Sequence, residues 1–247
     1  MGRLMSGYQR ALIKAGIRPV QDKTWENSQQ YEWQATEDFM KTQSFQELAR
    51  DIHSGKLAIS NGYRDSRIIA EFFQSDSDEY ERFLLKIAGS TCLDIGPCVA
   101  SPLSQWDHVA NKFIIEPLAP RVEAWQKEFF GFSLFEGMTC IVSPAEVTQE
   151  VLLDRVNGAI YCRNCLDHSP NWAFILGNIG RYATSGCHLL YWSDLYHGST
   201  VDAGHYNITN DQQSFRNLIV ALGFDIRYEF ALGDRGGLNW GCRAVKK

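Results

Sequence analysis

The sequence predicts an α/β protein: a doubly wound, mostly parallel seven-stranded sheet whose last strand is antiparallel, preceded by an N-terminal helical extension. Three observations carry this. From about residue 91 onward, short apolar segments alternate with helical patterns, the sequence signature of a sheet covered on both faces. Phe224–Phe230 and Leu238–Val245 both read as strands, and the short loop LGDRGG between them cannot make the crossover of a dozen residues or more that parallel neighbours require. Residues 1–88 show no strand alternation and read as helices.

Taken in order, Ser44 with Glu47 forms a capping box ahead of a helix whose Phe45, Leu48 and Ile52 recur at helical spacing, with Gly55 as its stop. A second helix over 78–87 places Phe83, Leu84 and Ile87 on one face before Gly89. Between them and the N-terminus lies an aromatic-rich stretch with Trp25, Tyr31, Trp33 and Phe39, too apolar for a linker. It is expected to pack against the rest of the chain, the alternative being a lid that gives aromatic walls to an acceptor pocket. The domain reading is a helical cap over 1–88 and a catalytic unit over 89–247. Within that unit the strands are Leu93–Ile95, Phe113–Ile115, Thr139–Val142, Ala159–Arg163 and Cys187–Trp192, followed by the closing hairpin. Pro120 opens a helix with Val122, Trp125 and Phe129 toward the sheet and Gly131 as its stop. Ser169-Pro170 opens another, with Trp172, Ile175, Leu176 and Ile179 buried, and Asp211 caps a third that ends at Gly223.

At 247 residues and 45% hydrophobic, the chain can bury a large core. A net charge of −5 gives no electrostatic footprint for nucleic acid. No apolar run approaches the roughly 20 residues of a membrane span and no signal-peptide h-region is present, so a cytoplasmic location is expected. The seven cysteines then read as reduced core thiols, and the sequon at Asn207 carries no meaning. The opening MGRLMS fits the N-myristoylation pattern at Gly2 and Ser6, with no other feature in support.

The most informative segment is TCLDIGPCVASPLSQWDHVANKFIIE, residues 91–116. A strand ends in Asp94, and Gly96 follows in a tight turn where the backbone can approach a ligand. A second strand ends in Glu116, 22 residues after Asp94, near the spacing of about 20 at which an acidic strand end meets ribose hydroxyls. The dinucleotide fingerprint is incomplete: only Gly96 of its three glycines is present, with Cys98 and Ser101 at the others, which disfavours NAD.

A parallel sheet finished by an antiparallel hairpin resembles the class I S-adenosylmethionine-dependent methyltransferases. The resemblance runs from about Gly89 to the end, with LDIG, the acid of IIEP, SPAE and YCRNCLDH at the family's usual places. It departs from the family in the first loop, where Cys98 and Ala100 stand at positions commonly held by glycine. The resemblance implies S-adenosylmethionine as cofactor, held by Asp94, Gly96, Pro97, Cys98, Glu116, Pro117, Leu118, Ala145, Glu146 and Asn164, with Glu146 placed to take the adenine amino group. For Glu146 a simpler reading is an acid favoured at a helix N-terminus.

Ligands of open α/β sheets sit outside the carboxyl ends of the strands, so chemistry is expected in the loops after strands four and five. His168 is the first candidate for a general base, with Asp167 to orient it; His197 and His205 follow as acceptor contacts or an alternative base. Asp194, His197, Asp202 and His205 raise a rival, a divalent metal that holds the acceptor. Cys162-x-x-Cys165 with His168 makes only half a zinc site, and no metal is assigned. His188, inside a strand, reads as a satisfied core residue. The expected function is methyl transfer from S-adenosylmethionine to an oxygen or nitrogen of a small or medium-sized acceptor. The alternatives are a non-catalytic binding or partner protein of the same fold and a metal-assisted O-methyltransferase.

Overall fold

A computed structural model describes residues 23–54, 63–197, 205–232 and 238–247. Four helices come first: α1 (Lys23–Met40), α2 (Gln43–His53), α3 (Tyr63–Phe72) and α4 (Ser77–Lys86). The sheet follows as β1 (Thr91–Ile95), β2 (Asn111–Ile115), α5 (Ala119–Phe130), β3 (Thr139–Ile141), β4 (Ala159–Arg163), α6 (Trp172–Tyr182), β5 (His188–Tyr196), α7 (Gln212–Ala221), β6 (Phe224–Phe230) and β7 (Leu238–Lys246). All seven predicted strands are present. Their order is β3-β2-β1-β4-β5-β7-β6, and β7 runs antiparallel to both neighbours while the other pairs are parallel.

Side chains that alternate along each strand divide the interior in two. In β4, Ala159 and Tyr161 join a core built with the N-terminal helices and α5, among Phe45, Phe72, Tyr80, Phe83 and Val122. Ile160 and Cys162 of the same strand face the other way, into a core with Ile175 and Ile179 of α6 and Phe215 of α7. The helices before the sheet therefore cover one of its faces and share that face's core. Buried polar contacts fasten them: Trp106 Nε1 donates to Tyr80 Oη at 3.0 Å, and Arg163 at the end of β4 grips Glu71 of α3 through Nε (3.0 Å) and Nη2 (2.9 Å).

The helix signals operate largely as read. Asp211 Oδ1 accepts from the backbone N–H of Gln213 and Ser214, and Gly131 ends α5 in the left-handed conformation, φ 81°. One signal is corrected: α2 is capped by Thr42, whose Oγ1 accepts from Phe45 N–H at 3.3 Å, not by Ser44. Glu47 instead accepts from Gln43 Nε2. His188 is also corrected. Its Nδ1 is buried with no hydrogen-bond partner among the described residues, its ring meets Phe83 edge-on at 5.2 Å, and burial lowers its pKa to about 4. Gly55, the MGRLMS hexapeptide, Asp202 and most of the hairpin loop lie outside the described residues. The seven cysteines are free thiols. Among the described residues no helix is long and apolar enough to cross a membrane.

Candidate active site

The register brings the ends of β1, β2, β3 and β4 level, with Ile95 beside both Ile115 and Cys162 and Ile115 beside Ile141. The loops that leave these ends therefore converge, and a cavity of about 250 Å³ opens there. Gly96 and Cys98 line it after β1, Glu116, Pro117 and Leu118 after β2, Pro144, Ala145 and Glu146 after β3, and Asn164, Cys165, His168 and Ser169 after β4. Of the residues expected to bind a cofactor, Asp94 and Pro97 do not line the cavity; both are buried behind it.

Local backbone geometry explains why the loops take this shape. Gly96 has φ 69°, and a Cβ there would stand 2.6 Å from Cys165 Cβ, so only glycine fits between β1 and the loop after β4. Cys98 also has a positive φ, 57°, and Asn164 has φ 53°, a conformation that asparagine tolerates better than most residues. Gln126 of α5 holds the first loop from outside, donating to Val99 O at 2.7 Å. Asn178 of α6 holds the third, donating to the carbonyls of Ala145 and Glu146 at 2.9 and 3.0 Å.

Glu116 is buried, and its two oxygens accept from the N–H groups of Cys98 (3.2 Å) and Leu118 (2.9 Å). Burial pushes its pKa up to about 7, against the pull of those two donors. Glu146 is likewise buried and accepts from Ser169 Oγ at 2.5 Å. Asn164 Oδ1 is a buried acceptor with no partner among the described residues.

The predicted catalytic residues also gather, in an arrangement the sequence did not give. His168 Nδ1 bonds Glu32 Oε1 of α1 at 2.9 Å, and its Nε2 faces Asn164 Nδ2 at 3.4 Å. Asp167, fully buried, does not orient His168 by a hydrogen bond. It accepts from Ser193 Oγ at 2.9 Å on Oδ1 and pairs with His197 Nε2 at 3.1 Å on Oδ2, with His205 Nε2 at 4.0 Å. The His205 ring packs between those of His168 and His197, at 4.5 and 4.7 Å between centroids. Burial would raise the Asp167 pKa, but the His197 bond, the His168 charge and the Ser193 hydroxyl overcome it and hold the carboxyl below its ordinary range.

Glu32 and Thr36, which roof the cavity from α1, were missed, as were Cys165 and Ser169. Glu32 and Thr36 are four apart in a helix and so share a face, a signal that Trp33 between them masks. Trp25 lies outside the residues whose side chains are described, and of Tyr31, Trp33 and Phe39 none lines the cavity. Trp33 packs partly buried with the Arg121 guanidinium 4.0 Å over its ring, while Tyr31 and Phe39 are about half exposed.

Six parallel strands with one reversed strand, β7, inserted between β5 and β6, and a cavity at their carboxyl ends, decide the architecture. That strand order is the fold of the class I S-adenosylmethionine-dependent methyltransferases. No protein-family model and no curated protein matches the chain. Among solved structures, the 4+2 cyclase SpnF aligns with 86% of this chain and 76% of its own at 15% identity and a TM-score of 0.52. The N-methyltransferase NodS of Bradyrhizobium japonicum, in complex with S-adenosylhomocysteine, aligns with 83% of this chain and 99% of its own at 14% identity and TM-score 0.49. The 1,6-didemethyltoxoflavin-N1-methyltransferase of Burkholderia thailandensis gives 89% and 90%, 14% identity and 0.48. These likenesses concern the methyltransferase fold, on which unrelated chemistries occur.

Proposed function

We propose that the protein is an S-adenosylmethionine-dependent methyltransferase acting on an oxygen or nitrogen of a small or medium-sized acceptor. Residues 89–247 form the catalytic unit and 1–88 a cap whose first described helix covers the cofactor. The observation that carries this reading is the convergence of Gly96, Glu116, Ala145, Glu146, Asn164 and His168, chosen from sequence alone, on one cavity.

The residues present fit the cofactor. Gly96 presents its backbone to the cavity, and Asn164 Oδ1 offers a buried acceptor. Glu116, oriented by two backbone donors, retains lone pairs for the two ribose hydroxyls. Glu146 and the adjoining Ala145 are placed at the adenine end. The cofactor, when bound, supplies an electrophilic methyl group. The protein's own task is to hold the acceptor in line and to take its proton, and His168, fixed by Glu32 and facing the cavity, is the base. His205 and His197 lead from His168 to the buried Asp167, so positive charge gained at His168 is stabilised by an anion one imidazole away.

One observation favours a metal-assisted variant: Asp167, His168 and His205 each present a ligand atom, all within 4.8 Å of one another. Two imidazoles and a carboxylate suit a divalent transition ion. In that variant the two histidines are ligands, and the ion lowers the acceptor's pKa.

Calorimetric titration with S-adenosylmethionine and S-adenosylhomocysteine, with NAD as control, repeated after chelation, tests the reading. Micromolar binding of the first two supports it, and methyl transfer that survives chelation selects the histidine base. Absence of binding moves the protein to a non-catalytic role on the same fold.

A further inference from the structure

Cys162 is the fourth residue of β4, and Cys165 lies in the loop that follows. Their Sγ atoms are 3.0 Å apart, about 1 Å more than the bonded distance in a disulfide. The two thiols occupy different surroundings. Cys162 is buried in the core beneath α6. Cys165 lines the cofactor cavity, and its Cβ occupies the space that the missing side chain of Gly96 leaves open. The wall shared by the first cofactor loop and the loop after β4 is thus set by where Cys165 stands.

We propose that Cys162 and Cys165 form a reversible disulfide and that their oxidation state is coupled, through the Gly96–Cys165 contact, to occupancy of the cavity. The coupling rests on the cofactor reading above, while the disulfide does not. The oxidant is hydrogen peroxide or another hydroperoxide small enough to enter the cavity. The Cys165 sulfur attacks a peroxide oxygen, the O–O bond breaks, water leaves (or the alcohol, from an organic hydroperoxide) and a sulfenic acid remains. The Cys162 sulfur then attacks the Cys165 sulfur, the S–O bond breaks and a second water departs as the S–S bond forms. Two thiols lose two electrons and one peroxide gains them. A dithiol reductant reverses the change by thiol–disulfide exchange. The hydrogen bond to Cys162, with burial, holds the Cys165 thiol well above the ordinary cysteine range, so the first step quickens as pH rises.

Bond formation draws the Cys165 sulfur toward β4 and away from the position in which it, Gly96 and Glu116 enclose the cavity. The oxidised protein therefore binds cofactor more weakly, by about tenfold. By reciprocity the cofactor opposes the disulfide by the same factor, which for a two-electron couple is about 30 mV.

The full-length protein is equilibrated in glutathione buffers of graded poise, with and without saturating S-adenosylhomocysteine. It is then denatured, alkylated and digested, and the peptide holding both cysteines is weighed. The expected result is a linked peptide lacking both alkyl groups in the oxidising buffers, with a midpoint about 30 mV higher when S-adenosylhomocysteine is present. Cys162→Ser should abolish the linked peptide. Full alkylation of both cysteines at the most oxidising poise overturns the proposal. So does a midpoint that does not move although calorimetry shows the ligand bound to the reduced protein. A disulfide in protein that binds no S-adenosylhomocysteine supports the cysteine bond and overturns the coupling together with the cofactor reading, so the two failures are distinguishable.

Discussion

Glu32 and His168, 136 residues apart, share a 2.9 Å hydrogen bond that joins the first described helix to the loop after β4. The carboxylate holds Nδ1, while Nε2 lies opposite Asn164 Nδ2 at 3.4 Å. His168→Ala is expected to lower kcat about 10²- to 10⁴-fold with little change in cofactor affinity. Glu32→Gln, which loosens the ring without removing it, should lower kcat about tenfold. A variant His168→Ala that turns over like the wild type would remove His168 from the mechanism.

If Glu116 holds the ribose as proposed, cofactor binding has a pH dependence of definite sign. The folded pKa of Glu116 is about 7, and hydroxyl donors favour the ionised form. Affinity for S-adenosylhomocysteine should therefore rise as pH increases, by about tenfold between pH 6 and 8, as the ionised fraction grows. Glu116→Gln should flatten this profile and bind weakly throughout; calorimetry at several pH values measures both.

Gly96→Ala places a methyl group 2.6 Å from Cys165 Cβ in a backbone region unfavourable to alanine. Thermal unfolding should show a loss of about 1–3 kcal/mol, and cofactor binding should fall with it. Paired with Cys165→Gly, which removes the obstructing atom, the same substitution should recover part of the stability.

Cys98→Gly is expected to act in the opposite direction. A non-glycine residue at φ 57° carries strain that glycine relieves, so the variant should be more stable by roughly 0.5–1 kcal/mol in denaturant unfolding. Equal or lower stability would show that the thiol's contact with Thr36 Oγ1, at 3.5 Å, outweighs the strain.

The Arg163–Glu71 fork is largely buried, and Glu71 also meets Arg67 Nε at 3.5 Å. Arg163→Met should destabilise by about 1–3 kcal/mol, because Arg67 still faces Glu71, whereas the double variant Arg163→Met with Glu71→Met should recover part of the loss. A double-mutant cycle in urea gives the coupling directly.

The strands, the reversed last strand and the sheet edge that carries the cavity were legible because they rest on local signals: apolar runs of strand length, Gly96 and Gly131 at turns, Asp211 at a helix start and a hairpin too short to cross over. The first-loop departure was also visible, and Cys98 adopts the glycine-like conformation its position demands. What escaped depends on packing between distant segments. Nothing local in the aromatic stretch marks Glu32 as the partner of His168, and nothing in RIIAEF or YCRNC pairs Glu71 with Arg163. Thr42 and Ser44 are both capping residues two positions apart, and choosing between them requires knowing that α1 ends at Met40. His188 was misread because alternation reveals burial but not whether a ring nitrogen finds a partner.

Glu32 and Thr36 roof a cleft whose floor comes from residues 95–175. During synthesis the roof therefore leaves the ribosome ahead of the residues it covers and must wait for them to follow. The cleft is closed by a segment made before its own floor.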